Sequence, residues 1–180
     1  MKALLATGNP ADLVALGEVA EPTPDLHQAV IKVEYFSPNR GEMFLLKKAE
    51  PGWRPGKDIA GIVVQAAGDG SGPTLGTRVV AHPPALGWAQ LAAVDTDRIV
   101  GLPAQVPIEV AAALPLAGLT ALRVLRACGD LIGRKVLLTA ASGGVGHYIV
   151  ELAAASGAEI TAVSATSQRA KPESVGKGSC

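Results

Sequence analysis

Alternating apolar and polar residues over the first hundred positions predict a domain built mainly of β-strands. Residues 28–35 alternate with a period of two, which is typical of a strand with one buried face. Residues 42–48 follow a break at 37–41 and predict one or two helical turns. Further segments between turn-forming residues have the β character: 59–67, 77–81, 89–94 and 98–102.

The pattern changes in the last third of the chain, where helices and buried strands alternate. Pro107 suits the first turn of a helix, and leucines at helical spacing continue towards Gly129, a natural stop. A β-α-β unit follows, made of a strand at 136–139, a glycine turn, a helix at 145–156 and a strand at 160–163. We therefore expect a β-rich domain over 1–115, a partial parallel-sheet domain over 116–171 and an atypical tail over 172–180.

Composition and charge narrow the classes of function. Of the 180 residues, 48% are hydrophobic and 18% are charged, which allows a sizeable core and argues against disorder. Lys plus Arg equals Asp plus Glu at 16 each, so no broad attraction to nucleic acid or to an anionic membrane is expected. The apolar stretch 106–125 is interrupted by prolines and charges and does not predict a membrane span. We expect a soluble, cytoplasmic protein that binds neither nucleic acid nor membrane.

A glycine-rich turn lies between the strand and the helix of the β-α-β unit. It fits the dinucleotide fingerprint with alanine in the first glycine position. Gly143 lets the backbone approach a pyrophosphate, and Gly146 lets the helix pack closely on the strand. The free amides at the helix start then face the phosphates. The predicted cofactor-binding residues of the turn are Ala141, Ser142, Gly143, Gly144, Val145 and Gly146.

The end of the second strand indicates which dinucleotide is bound. An NAD site usually has an acidic residue there to bind the ribose 2′-hydroxyl, but no acid precedes Glu173 in this segment. Ser164, Thr166 and Arg169 instead suit a 2′-phosphate. The alternative is an ordinary polar loop with one solvated arginine. We predict NADP(H) as the cofactor.

Four stretches in family order resemble the zinc-independent quinone oxidoreductase (zeta-crystallin-like) branch of the medium-chain dehydrogenase/reductase superfamily: 37–42 (SPNRGE), 55–61 (PGKDIAG), 114–121 (LPLAGLTA) and 136–146 (VLLTAASGGVG). The resemblance implies an α/β fold with a GroES-like β-rich domain followed by a partial Rossmann doubly wound parallel sheet. It also implies hydride transfer from NADPH to a quinone or an α,β-unsaturated carbonyl.

Two residues match polar positions at the family's catalytic cleft. Asn39 matches its asparagine and Thr120 its threonine beside the nicotinamide, and both are expected to orient groups by hydrogen bonding. Spacing alone favours structural roles, with Asn39 as a turn-forming residue and Thr120 as a helix residue bonded to its own backbone. The resemblance favours the roles at the cleft.

The residues at the zinc-ligand positions of the alcohol-dehydrogenase branch argue against a metal. Those positions hold Asn39, Lys57 and Asp58, and a charged lysine is not a ligand. The three histidines, at positions 27, 82 and 147, are scattered in sequence and lack partner ligands there. We expect Asp58 to be either a solvated carboxylate or a structural partner of Arg40 or Arg54.

The chain shows two strands of a domain that has six in its complete form. Residues 171–180 do not continue the family pattern, and we expect both strands to be apolar on both faces. We hypothesise a fragment or truncated product, completed by another polypeptide or only partly folded by itself. The partner expected is this second polypeptide or a second copy in a homodimer. The alternative function is a catalytically inactive nucleotide-binding or interaction module.

Overall fold

The computed structural model describes residues 1–164, which form two compact units. The first unit is Met1–Leu116, and the second begins at Ala117. The first unit contains the strands β1 (Lys2–Ala6), β2 (Val14–Glu18), β3 (Gln28–Ser37), β4 (Asp58–Gln65), β5 (Arg78–Ala81), β6 (Leu91–Asp95) and β7 (Ile99–Gly101), together with the helices α1 (Arg40–Leu46) and α2 (Ile108–Ala111). A 3-10 turn, Thr96–Arg98, joins β6 to β7.

An antiparallel five-stranded sheet forms the body of the first unit, in the strand order β6-β3-β4-β5-β7. Strand β3 pairs with a strand on each of its edges, β4 and β6. Ala29, Val30 and Ile31 are consecutive core residues, so both faces of its first half are covered. A register shift against β4 between Val33 and Tyr35 leaves Glu34 as an extra residue of β3 and breaks the predicted alternation. Tyr35, expected on the buried side, is exposed instead.

The hairpin of β1 and β2 was not predicted from the sequence. It pairs Lys2 with Glu18 and Ala6 with Val14, and a single bridge joins Ala3 to Ala89. Residues of this hairpin pack on a small cluster centred on Ala6, Leu46 and Trp88. Among residues 1–164 the indole nitrogen Nε1 of Trp88 is buried without a hydrogen-bond partner, so this side chain contributes packing.

The second unit is a β-α-β arrangement whose first helix starts at the end of the first unit. Its elements are α3 (Pro115–Ala127), β8 (Lys135–Thr139), α4 (Gly144–Ala155) and β9 (Glu159–Val163). Strands β8 and β9 are parallel, with Val136 opposite Ile160. A core of Ala121, Leu125, Leu131, Ile149 and Ala153 lies between the helices and one face of the two strands.

The helix predicted to run from Pro107 towards Gly129 is divided in two. Pro107 precedes α2 as its N-cap, and α2 ends before Pro115 begins α3. A proline has no N–H to continue a helix and fits the first helical position, so Pro115 starts a new helix.

The two faces of the parallel strands differ in exposure. Val136, Leu138 and Ile160 pack on the core, whereas Leu137 and Val163 on the other face are exposed. Lys135, Glu159 and two threonines share that open face, so it is less apolar than predicted. No helix within residues 1–164 is long and apolar enough to cross a membrane.

Candidate functional site

Asp58, at the start of β4, is a fully buried carboxylate held by three N–H donors. One oxygen, Oδ1, accepts from the backbone of Leu116 at 3.0 Å and lies 2.9 Å from Nδ1 of His82. The other, Oδ2, accepts from the side-chain amide of Asn39 at 2.9 Å. The residue is 0% exposed. A buried charge requires such partners, because its lost hydration has to be replaced.

This environment corrects the expectation that Asp58 is solvated or bound to Arg40 or Arg54. The guanidinium of Arg40 lies over the ring of Phe44, 5.5 Å from its centroid. Arg54 donates to the carbonyl of Leu86 at 3.3 Å, and desolvation by burial lowers its pKa from the ordinary value. The partners of Asp58 come instead from three segments distant in sequence, which a local pattern does not show.

Glu42 is a second buried carboxylate beside Asn39. Its Oε1 accepts from the backbone N–H groups of Gly56 at 2.8 Å and Lys57 at 3.0 Å. Its Oε2 accepts from the backbone N–H of Asn39 at 3.0 Å and lies 3.4 Å from the side-chain amide of that residue. Glu42 therefore fixes the loop before β4 to the start of α1, and Asn39 lies between two carboxylates.

His82, expected to stand without partner ligands for a metal, has hydrogen-bond partners in the structure. Its Nδ1 lies 2.9 Å from both the carbonyl oxygen of Lys57 and Oδ1 of Asp58. Both neighbours are acceptors, so we assign the ring proton to Nδ1. Nε2 has no hydrogen-bond partner among residues 1–164, and the side chain is 28% exposed. We call His82, Asp58, Asn39 and Glu42 the carboxylate network.

The glycine turn lies between β8 and α4 in the second unit. Gly143 is the N-cap of α4, and Gly144 is the first helical residue. The N–H of Ala141 donates to the carbonyl of Val163 at 3.2 Å, which fixes the turn to the end of β9. Val145 and Ser142 are half-buried. The predicted order of strand, turn and helix is therefore the one that the structure has.

The three glycines of the turn have different surroundings. A Cβ on Gly146 would lie 2.5 Å from the carbonyl oxygen of Ala140 and 2.6 Å from that of Ala141, so this glycine is needed for packing. A Cβ on Gly143 would lie 3.3 Å from the carbonyl oxygen of Ala140, a tight contact. A Cβ on Gly144 would meet nothing within 4 Å. Neither packing nor a positive φ explains the glycine at position 144.

The backbone at the start of α4 presents free donors. The N–H groups of Gly144, Val145 and Gly146 have no partner in the described part of the chain, as is usual in a first helical turn. Such donors, with the positive end of the helix dipole, suit an anionic group. The open side of Gly144 leaves room for that group to approach.

The left-handed position of the turn is Ala140, one residue before the predicted start of the fingerprint. Its φ is 56°, a conformation that costs a residue with a Cβ roughly 1–2 kcal/mol. The chain thus has alanine at a position whose backbone favours glycine.

The other predicted site residues are distributed as follows. Ser164 directly follows β9 and is half-buried. Thr120 lies within α3 and is half-buried. Thr166 and Arg169 lie outside the described residues. No group of three or more His, Cys, Asp and Glu side chains suited to a metal ion occurs within residues 1–164.

Sequence reasoning missed Glu42 and His82 as members of the site. Glu42 follows Asn39 by three residues, which is the spacing of a capping box, and this signal could have been found. His82 has no comparable signal, because its link to Asp58 spans 24 positions.

No protein-family model matches the chain. Curated proteins, however, match it in sequence. A chloroplast envelope quinone oxidoreductase homolog from Arabidopsis thaliana is 38% identical over 161 residues, covering 81% of this chain and 49% of that protein. A quinone oxidoreductase from Homo sapiens is 30% identical over 172 residues, covering 91% of this chain and 52% of that protein. The chain spans about half the length of the curated relatives it matches.

Solved structures show the same fold. The quinone oxidoreductase from Coxiella burnetii superimposes with a TM-score of 0.81 at 28% identity, covering 93% of this chain and 57% of that one. The quinone oxidoreductase from Thermus thermophilus, also solved in complex with NADPH, superimposes with a TM-score of 0.76 at 28% identity. The match covers 90% of this chain and 52% of that one. The expected α/β fold, GroES-like with a partial Rossmann sheet, is confirmed. The chain belongs to the quinone oxidoreductase (zeta-crystallin-like) branch of the medium-chain dehydrogenase/reductase superfamily.

Proposed function

We propose that the chain binds NADPH through the glycine turn and serves in hydride transfer to a quinone or an α,β-unsaturated carbonyl. The observation that carries this proposal is the open side of Gly144 beside the unpaired N–H groups of α4. When bound, the cofactor supplies the hydride, and the protein's task is to hold and orient the reactants. Residues 141–146 would hold the pyrophosphate.

The preference for the 2′-phosphate form has two supports. The segment after β9 has hydroxyl groups and Arg169 where an NAD site has a carboxylate. The related quinone oxidoreductase from Thermus thermophilus forms a complex with NADPH. We propose Ser164, Thr166 and Arg169 as the residues that bind this phosphate, with bidentate binding by the guanidinium.

We propose that the reaction proceeds without zinc. Asp58 takes a position at which the alcohol-dehydrogenase branch has a zinc ligand, but both its oxygens already accept hydrogen bonds within the first unit. Glu42 is occupied in the same way. We propose that Asn39, whose position is fixed by two carboxylates, orients the reactants by hydrogen bonding, and that Thr120 on α3 does the same.

Cofactor binding and turnover test these proposals separately. Fluorescence titration should show saturable binding of NADPH, weaker binding of NADH, and a loss of the preference in Arg169→Ala. Arg126→Ala, in the last turn of α3, is a matched loss of charge and should leave the preference unchanged. Equal binding of both cofactors to the unsubstituted chain would contradict the assignment of the 2′-phosphate site.

A second candidate is a nucleotide-binding or interaction module without catalysis. It is favoured by the parallel sheet, which within residues 1–164 has two strands and an exposed face. Oxidation of NADPH in the presence of a simple quinone decides between the two. Binding without oxidation supports the module, and oxidation that depends on the quinone supports the reductase.

A further inference from the structure

The carboxylate network ends in a nitrogen atom whose partner the described residues do not supply. Asn39 is bonded to Asp58, and Asp58 to His82, so the three side chains form one hydrogen-bonded chain. Nε2 of His82 is its outer end, on a side chain that is partly exposed. The network thus presents an imidazole nitrogen beside the asparagine proposed for the catalytic cleft.

The geometry defines what this imidazole can do. Hydrogen bonds to the carbonyl of Lys57 and to Asp58 hold the Nδ1 proton, which fixes the tautomer and the ring orientation. Nε2 is therefore the atom at which a proton is gained and lost.

We propose that His82 donates a proton from Nε2 to the reduced acceptor, with Asp58 as its positioning residue. This rests on the proposed reductase function. An acceptor that has gained a hydride carries an extra electron pair on oxygen or on the carbon next to the carbonyl. The Nε2–H bond breaks, its proton forms the new O–H or C–H bond, and the neutral imidazole regains a proton from water. No further oxidant or reductant is needed.

The alternative is that His82 only supports the fold by binding Asp58. Replacement by asparagine separates the two roles, because its amide retains a donor near the Nδ1 position and removes Nε2. His147, which is exposed on α4, provides the matched control His147→Asn.

The first test is nitrogen-detected NMR of the histidine rings in the full chain, which needs no turnover. We expect neutral His82 to carry its proton on Nδ1. We also expect its Nε2 signal to shift on addition of hydroquinone with NADP⁺, while that of His27 stays in place. An Nε2-protonated neutral ring, or an Nε2 signal that does not respond, would overturn the proposal.

Turnover gives the second test. His82→Asn should lower kcat with an enone acceptor by roughly 100-fold, since general-acid catalysis contributes on that order. Its NADPH dissociation constant should stay within about twofold of the unsubstituted chain, and imidazole should restore part of the rate to His82→Ala. Normal NADPH binding with an unchanged kcat would sink the proton-donor role and leave the proposed function standing. Failure of the unsubstituted chain to bind NADPH would contradict both the proton-donor role and the proposed function.

Discussion

Asp58 shows how one buried charge organises the first unit. Its carboxylate joins β4 to the start of α1 through Asn39, to the loop after β5 through His82, and to the backbone at Leu116. These segments are far apart in sequence, so the carboxylate contributes contacts that no local element supplies.

Replacement of Asp58 by asparagine should destabilise the protein strongly. All three neighbours of the carboxylate donate, so one of them would face the new amide N–H, at a cost of about 2–4 kcal/mol. Urea unfolding followed by circular dichroism measures this. Asp97→Asn is the control, since that side chain is 82% exposed and its change should stay within about 0.5 kcal/mol. Equal effects of the two substitutions would contradict the network's structural role.

Replacement of Ala140 by glycine should stabilise the protein. Its φ of 56° favours glycine, so Ala140→Gly should raise the free energy of unfolding by about 0.5–1 kcal/mol after the entropy cost of glycine. The same substitution at Ala154, exposed within α4, should lower it by about 1 kcal/mol. Thermal unfolding of the two variants gives the sign of each change in stability. A loss of stability in both variants would contradict the backbone strain at Ala140.

At the scale of elements, the β-α-β unit was the most predictable part of the chain. Apolar strands, a glycine turn and an apolar helix lie next to each other in sequence, and short-range preferences determine them. The β1–β2 hairpin was missed because its strands have a weak pattern: Leu16 is exposed although it is apolar. The division between α2 and α3 depends on Pro115, which the leucine spacing concealed.

The two parts of the candidate site could be predicted from the sequence to different extents. The glycine turn is local, so its place between a strand and a helix could be predicted directly. The carboxylate network depends on contacts between β4, α1 and the loop after β5, and no sequence spacing encodes the pairing of Asp58 with His82. For the same reason Asp58 was expected to be either solvated or the partner of an arginine.

Packing of α4 on its turn should depend on Gly146. In Gly146→Ala the new Cβ would overlap two backbone carbonyl groups, which cannot rotate away, at a cost of about 1–3 kcal/mol. Hydrogen exchange of the α4 amides measures this locally and should become faster. Unchanged exchange in α4 would show that the helix does not pack on the turn as closely as the structure has it.

At the scale of the whole molecule, the open face of β8 and β9 should control self-association. Leu137 is 69% exposed and packs on no core cluster, so Leu137→Lys should leave the melting temperature unchanged and reduce light scattering at high concentration. Leu138→Lys, on the covered face, should instead unfold the second unit. Similar melting temperatures for both variants would contradict the assignment of the two faces.

Two short parallel strands with one helix suffice, in this account, to present the phosphate-binding turn. The chain spans about half the length of the relatives it matches. Cofactor binding is therefore the property to examine before turnover.

The most direct measurement is the NADPH dissociation constant of the Gly144→Ala variant beside that of the unsubstituted chain. Its Cβ would enter space that the protein leaves open, so the fold should be retained while the affinity falls by roughly tenfold or more. Gly41→Ala, also a helical glycine with open space around it, is the control and should bind NADPH normally. Unchanged affinity in a folded Gly144→Ala variant would contradict the claim that this turn holds the cofactor.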